Sequence, residues 1–281
     1  MVAYAQKWFR DNAPGMTGIE ECVTTRMLNW VEQDVSLGVA EDLAYSTDLL
    51  RAVQHGTITG PIVRTYRPKP TVSFGQQDTR MDGYERAREL SEQRGFAPVV
   101  RRVGGRAAAY HPGSLIIDRI QPEDDAMFGF RNRFTYFGDL LTATLKQLGA
   151  NAAVGEIPGE YCAGEYSVHA VLDSGQRIKL AGTAQRVVKG AWLFSTSLVV
   201  EDGRSVREVL TDVYDALGLE FDPATAGAVA DAVPGLTVED VTDELLAQYE
   251  QRFLQGGIAG QETYELATME WSELLAKVPP V

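Results

Sequence analysis

The sequence predicts an α+β fold in which a mixed or antiparallel sheet is flanked by helices. Some segments repeat apolar residues at helical spacing, whereas others are short apolar runs bounded by turn residues. Three strand-like segments, at 166–172, up to Gly182 and at 191–200, follow one another across short turns. Such hairpin connections are typical of an antiparallel meander. Helices mixed with hairpin-connected strands favour α+β over a parallel α/β sheet.

The predicted elements cover most of the chain. Residues 18–35 are weakly helical in pattern, with Thr17 as a candidate cap. The remaining predicted helices span 39–55, 81–95, 134–148, 205–217 and 238–253, and further strands span 61–66, 71–74, 98–101 and 114–120. We therefore expect three regions: an N-terminal extension (1–38), a catalytic domain (39–200), and a C-terminal helical region packed on it (201–281).

Composition excludes several classes of protein. At 281 residues, 44% hydrophobic and 23% charged, the chain has the makeup of an ordinary globular protein. A net charge of −13 argues against a nucleic-acid binder, which needs a basic face. No apolar run is long enough to span a membrane, and the N-terminus lacks the apolar centre of a signal peptide. We expect a cytoplasmic protein that does not interact with membranes.

The two cysteines and three histidines show no metal-site spacing. In a reducing cytosol both Cys22 and Cys162 are expected to be free thiols. The sequence therefore predicts no metal site.

Cys162 is the stronger candidate for chemistry. It lies in a loop-like stretch between Pro158-Gly159 and Ala163-Gly164, and loops on rigid sheet ends present side chains to substrates. A free cysteine is more often a small buried hydrophobe, so the pattern alone leaves both interpretations open. Lys179 lies on the next strand but one, where it is either a surface residue or a group that stabilises a thiolate.

The geometry of the predicted hairpin limits how these two residues meet. A turn near Ser174-Gly175 places Lys179 opposite Ala170, about eight residues from Cys162. At roughly 3.3 Å per residue, Cys162 reaches the lysine only if its loop curls back over the sheet.

A second candidate segment contains paired glycines, Gly104-Gly105, followed by three alanines from 107 to 109. Glycines let a ligand approach the backbone and leave N–H groups free, and small side chains leave room for a narrow apolar group. The segment fits neither the phosphate-loop nor the dinucleotide-binding pattern.

Four segments resemble one family. VRTYRPKPTVSFGQQ at 63–77 resembles its early strand pair, and RRVGGRAAAYH at 101–111 and RIKLAGTAQ at 177–185 resemble its two central motifs. VEDVTDELLAQYEQRF at 238–253 is similar to its C-terminal helix. The family is the biotin/lipoate protein ligase superfamily, in its lipoate–protein ligase and octanoyltransferase branch.

The resemblance implies roles for individual residues. Lys179 matches the family lysine, and Cys162 matches the nucleophile of the cysteine-dependent octanoyltransferases and amidotransferases. His111 ranks third as a catalytic candidate, and Pro112-Gly113-Ser114 replaces the Asp and Gly-Asn residues that often follow it. The implied substrate-binding residues are Arg102, Gly104, Gly105, Arg106, Ala107, Ala108, His111, Gly182 and Thr183.

The implied activity is transfer of an octanoyl or lipoyl group through a thioester on Cys162, with no cofactor. The implied donor is acyl carrier protein or an acylated lipoyl carrier, and the acceptor is a lysine of a lipoyl domain. Such domains occur in the glycine-cleavage H protein and in 2-oxoacid dehydrogenase acyltransferase subunits. Two alternatives remain open, an ATP-dependent lipoate–protein ligase and a non-catalytic relative that binds the carrier. Intact Cys162 and Lys179 favour catalysis.

Overall fold

The computed structural model describes residues 26–102, 104–254 and 264–280. Their strands are β1 (Arg26–Gln33), β2 (Ile62–Tyr66), β3 (Thr71–Phe74), β4 (Ala97–Val100), β5 (Ala108–Tyr110), β6 (Ser114–Pro122), β7 (Ala152–Val154), β8 (Val168–Val171), β9 (Arg177–Val188), β10 (Ala191–Val199) and β11 (Tyr264–Thr268). Their α-helices are α1 (Val39–Gln54), α2 (Tyr84–Gln93), α3 (Phe130–Gln147), α4 (Gly203–Leu217), α5 (Val229–Ala232), α6 (Val238–Leu254) and α7 (Trp271–Lys277).

These strands form a large and a small sheet. The large sheet has the order β11-β1-β2-β6-β10-β9-β8-β7, and the small one has the order β4-β3-β5. Strands β11, β1 and β2 are mutually parallel, and the other pairs of the large sheet are antiparallel. The predicted α+β fold with a mixed sheet is confirmed.

The predicted meander is confirmed, with a register one residue away from the predicted one. Strands β8, β9 and β10 are consecutive antiparallel neighbours. Lys179 pairs with His169 rather than with Ala170. The length of the turn accounts for the difference. Leu172 N–H donates to Gln176 O at 2.8 Å, so three residues, 173–175, separate these two hydrogen-bonded residues.

The weak helix predicted over 18–35 is wrong for its described part, which forms β1. Leu28 and Trp30 are buried in one core cluster, and Val31 is buried in another. This alternation between two faces has the period of a strand. Residues 18–25 and Cys22 lie outside the described residues.

Helices cover both faces of the large sheet and one face of the small sheet. Side chains of α3 and α6 pack on one face of the large sheet, and those of α1 and α7 pack on the other. Helix α4 buries Val206, Val209, Leu210 and Val213 beside the small sheet. The division into regions at residues 38 and 200 stays a prediction. Strand β1 precedes the first boundary and β11 follows the second, yet the two strands pair with each other in the large sheet.

None of the helices in the described ranges combines the length and hydropathy needed to cross a bilayer.

Candidate active site

A cavity of about 360 Å³ lies against strands β2, β6, β9 and β10. The Gly104-Gly105 loop and the loop around Cys162 form other parts of its wall, and helix α1 contributes Leu43, Ser46 and Thr47. Eight of the residues predicted from sequence line this cavity: Arg102, Gly104, Gly105, Ala108, Cys162, Lys179, Gly182 and Thr183.

The Cys162 loop curls back over strand β9, as the hairpin argument requires. Lys179 Nζ donates to the backbone oxygens of Tyr161 and Cys162, each at 2.9 Å. Cys162 itself adopts a left-handed backbone conformation with φ of 43°. Such a conformation is uncommon for a residue other than glycine and clusters at functional sites.

Glu160 is a buried partner of Lys179 that the sequence analysis missed. Its Oε2 lies 3.1 Å from Lys179 Nζ, and both side chains are almost fully buried. Its Oε1 accepts a hydrogen bond from Ser167 Oγ at 2.9 Å. The lysine charge is therefore balanced inside the protein, and the ion pair fixes the loop that carries Cys162. The only sequence signal was an acidic residue two positions before the cysteine.

The sulfur of Cys162 lies against the paired-glycine loop. The backbone N–H of Arg106 donates to Sγ at 3.3 Å, and Arg101 Nη2 lies 3.7 Å from Sγ. A Cβ added at Gly105 would lie 2.8 Å from Sγ, and φ at this residue is 100°. Glycine is required at position 105 because the sulfur occupies the space of a side chain.

Tyr214, on helix α4, is a second residue that the sequence analysis missed. Its Oη accepts a hydrogen bond from the Cys162 N–H at 2.6 Å and donates to Ala107 O at 2.9 Å. Burial raises the pKa of Tyr214 well above its usual range, which keeps the phenol protonated and able to donate. One hydroxyl thus ties the cysteine loop to the glycine loop. The tyrosine is distant in sequence from both motifs, so no local pattern marked it.

Three of the sequence-predicted residues do not line the cavity. Arg106 contributes its backbone N–H, while its side chain pairs with Asp78 at 3.1 Å. Ala107 is fully buried. His111 Nδ1 accepts from Gly113 N–H at 3.0 Å, and its Nε2 lies 3.2 Å from Asp202 O. These contacts give His111 a structural role at the start of β6.

A buried ion pair lies beside the cavity, and its carboxylate, Asp118, forms a polar part of the wall. Arg64 Nη1 lies 2.9 Å from Asp118 Oδ2, and Ser195 Oγ donates to Asp118 Oδ1 at 2.7 Å. Burial raises the pKa of Asp118, and the charge of Arg64 opposes this effect. The pair ties β2 to β6 beneath the cavity.

Among the described residues, no group of three or more His, Cys, Asp or Glu side chains is arranged to hold a metal ion.

Comparison of the sequence with known proteins identifies its relatives. The family model of the lipoyl protein ligase A/B catalytic domain matches residues 39–250. The octanoyl-[GcvH]:protein N-octanoyltransferase of Geobacillus kaustophilus is 33% identical over 66% of this chain and 62% of its own length. The enzyme of the same name from Lysinibacillus sphaericus is 28% identical over 56% of this chain. The matched part of the chain spans 55% of that second relative.

Solved structures share the fold. A lipoate-protein ligase A bound with ATP superposes with a TM-score of 0.65 at 19% identity, covering 90% of this chain and 92% of that chain. A putative lipoate protein ligase from T. acidophilum with bound lipoic acid gives 0.63 at 20% identity, covering 90% and 93%. Fold and family model agree with the resemblance of the sequence motifs, and the chain belongs to the lipoyl protein ligase A/B catalytic domain family.

Proposed function

We propose that this protein is an octanoyltransferase that carries the acyl group on Cys162 between a donor protein and the lysine of a lipoyl domain. The observation that carries the proposal is the placement of Cys162 Sγ. It lies on the wall of the cavity, beside a backbone N–H, on a loop fixed by Lys179 and Tyr214. A structural cysteine has no need of such support.

The relatives support a choice of donor. Their name describes octanoyl transfer from GcvH, the glycine-cleavage H protein, to another protein. For this chain we therefore favour octanoylated H protein as donor over octanoyl-acyl carrier protein. The acceptor is then the lipoyl domain of a 2-oxoacid dehydrogenase acyltransferase subunit.

The reaction proceeds in two steps, acylation of Cys162 and transfer of the acyl group to the acceptor. The Cys162 thiolate attacks the acyl carbonyl, a C–S bond forms, and the bond to the donor lysine breaks as its nitrogen takes up a proton. The acceptor amine then attacks the thioester and gives up a proton, an amide forms, and the thiolate is released, so the proton taken up in the first step is returned. One amide replaces another, so the overall exchange needs no ATP.

The residues around Cys162 have different roles in these two steps. Lys179 holds the loop through two backbone oxygens. The Cys162 N–H already donates to Tyr214 Oη, so we assign oxyanion stabilisation to backbone N–H groups of Gly104-Gly105 or Gly182-Thr183. Small residues such as Ala108 leave room for the acyl chain, which gains roughly 0.8 kcal/mol per buried methylene.

The test is intact-mass analysis of the protein after incubation with octanoylated H protein and, separately, with octanoyl-acyl carrier protein, both without ATP. We expect an octanoyl adduct from octanoylated H protein and transfer to an apo-lipoyl domain, and an adduct from octanoyl-acyl carrier protein alone would overturn the choice of donor. Cys162→Ala should fold, because the change is small, yet form no adduct and transfer nothing. Transfer that requires ATP, or that survives in Cys162→Ala, would favour the ligase alternative. Carrier binding without transfer would favour the non-catalytic one.

A further inference from the structure

Arg101 is a buried cation whose charge the mechanism above leaves unused. The residue is 8% exposed. Its guanidinium donates to three backbone oxygens, those of Ser73 at 2.5 Å, Arg106 at 2.5 Å and Gly104 at 3.0 Å. Within the described part of the chain, no carboxylate lies within ion-pair distance of it. Carbonyl dipoles satisfy its N–H groups but leave a net positive charge inside the protein.

Three other cations near the cavity differ from Arg101 in this respect, and Arg102, which also lines the cavity, is exposed to solvent that screens its charge. Lys179 pairs with Glu160 at 3.1 Å, Arg106 pairs with Asp78 at 3.1 Å, and Arg64 pairs with Asp118 at 2.9 Å. A charge that already has a buried counter-ion contributes little net field to a neighbouring group. The electric field at the sulfur is therefore dominated by Arg101, the buried cation that has no carboxylate partner.

The sulfur of Cys162 occupies the position in which a counter-ion for Arg101 is expected. Arg101 Nη2 lies 3.7 Å from Sγ, on the side where the Arg106 N–H also donates to Sγ at 3.3 Å. The missing side chain at Gly105 leaves this approach open. Two donors, one of them charged, thus converge on one sulfur atom, an arrangement that favours an anion over a neutral thiol.

We propose that Arg101 is the counter-ion of the Cys162 thiolate and a further catalytic residue, whereas Lys179 positions the loop. The proposal rests on Cys162 being the nucleophile of the proposed function. In the acyl-enzyme the sulfur is neutral and Arg101 lacks its anion. Breaking the C–S bond in the second step restores the ion pair. Arg101 therefore assists both the formation of the nucleophile and its departure as leaving group.

The test is the rate of Cys162 alkylation by iodoacetamide as a function of pH, followed by peptide mass spectrometry. We expect Arg101→Gln to lower the rate near neutral pH by roughly tenfold or more, because the thiolate loses the opposite charge beside it. Arg80→Gln, at an exposed arginine outside the cavity, should match the wild type. An unchanged profile in Arg101→Gln would overturn the proposal. Alkylation needs no carrier protein, so this outcome is separate from any failure of acyl transfer.

A second measurement does not depend on the folding of Arg101→Gln. Aspartate and asparagine have similar shapes, and both tolerate the left-handed conformation of residue 162. If Arg101 requires an anion, Cys162→Asp should melt at a higher temperature than Cys162→Asn at neutral pH. The difference should shrink as acid protonates the aspartate. An equal or lower melting temperature for Cys162→Asp would contradict the role of Arg101.

Discussion

Hydrogen bonds to both backbone groups of Cys162, its N–H and its C=O, hold the residue in its left-handed conformation. Tyr214 Oη accepts from its N–H, and Lys179 Nζ donates to its carbonyl oxygen. Such a conformation costs on the order of 1–3 kcal/mol and persists only where its surroundings enforce it. The two contacts keep the sulfur against the glycine loop before any substrate arrives.

Tyr214→Phe should weaken this support while leaving the ring packing intact. We expect kcat to fall on the order of tenfold with little change in KM, because the nucleophile is misplaced while the acyl cavity remains. The melting temperature should also fall, since a buried N–H loses its acceptor at a cost of about 1–3 kcal/mol. Steady-state transfer kinetics and calorimetry measure both effects.

Tyr136→Phe is a matched control for that variant. Tyr136 is a partly buried tyrosine on α3 whose hydroxyl has no hydrogen-bond partner among the described residues. Removal of the Tyr136 hydroxyl should change neither kcat nor the melting temperature. If Tyr214→Phe behaves like this control, the hydroxyl of Tyr214 does not position Cys162.

Lys179→Ala should be destabilising as well as inactive, because it leaves Glu160 as an unpaired buried charge. Breaking a buried ion pair from one side costs roughly 3–5 kcal/mol. The double variant Lys179→Ala/Glu160→Gln removes that charge and should recover much of the melting temperature without recovering transfer. Thermal unfolding of the single and double variants tests this. A single variant as stable as the wild type would contradict the buried pair.

At the scale of elements, Gly105 in the glycine loop and Ala108 on β5 have different roles. Both line the cavity, but the space beside Gly105 is occupied by the sulfur of Cys162. The sequence assigned both to one acyl slot because it shows the size of a side chain and not what lies opposite it. Only Ala108 is therefore suited to a test of acyl-chain length.

Ala108→Leu should fill part of the cavity and shift preference toward shorter acyl chains. Overpacking of this kind costs about 1–3 kcal/mol, so kcat/KM for octanoyl should fall by roughly tenfold or more relative to hexanoyl. Competition between octanoyl and hexanoyl donors measures the ratio. An unchanged ratio in a folded variant would place the acyl chain elsewhere.

Most elements could be predicted from the sequence, because helix α1 and the β8–β9–β10 meander carry their own periodicity and turns. Strands β1 and β11 could not. Each is stabilised by a parallel partner that is distant in the sequence. The pattern of apolar residues within a strand does not indicate which distant strand it pairs with.

At the scale of the whole molecule, the candidate site combines parts that are distant in the chain. Cys162, Lys179 and the paired glycines were predictable because each belongs to a short motif with recognisable chemistry. Glu160, Arg101 and Tyr214 were not, because their importance depends on which atoms surround Cys162 after folding.

A chain that ends at Val200 should therefore neither fold cooperatively nor transfer acyl groups. It lacks Tyr214 and the four fully buried side chains of helix α4, Val206, Val209, Leu210 and Val213. At about 1.5–3 kcal/mol each, those four contribute an amount similar to the net stability of an ordinary domain. Calorimetry of the truncated protein tests this. A sharp unfolding transition would show that the chain up to residue 200 folds without the C-terminal region.

The pairing of β1 with β11 has a consequence for the order in which the protein is made. Arg26 pairs with Tyr264, so β1 leaves the ribosome long before its outer partner exists. Throughout synthesis of the intervening chain, β1 is an open edge with unpaired N–H and C=O groups. Open edges of this kind pair readily with other chains. Misassembly of the nascent protein is therefore most frequent before residue 268 has emerged from the ribosome. Slow translation or a scarcity of chaperones should lower the yield of folded protein without changing the activity of the molecules that do fold.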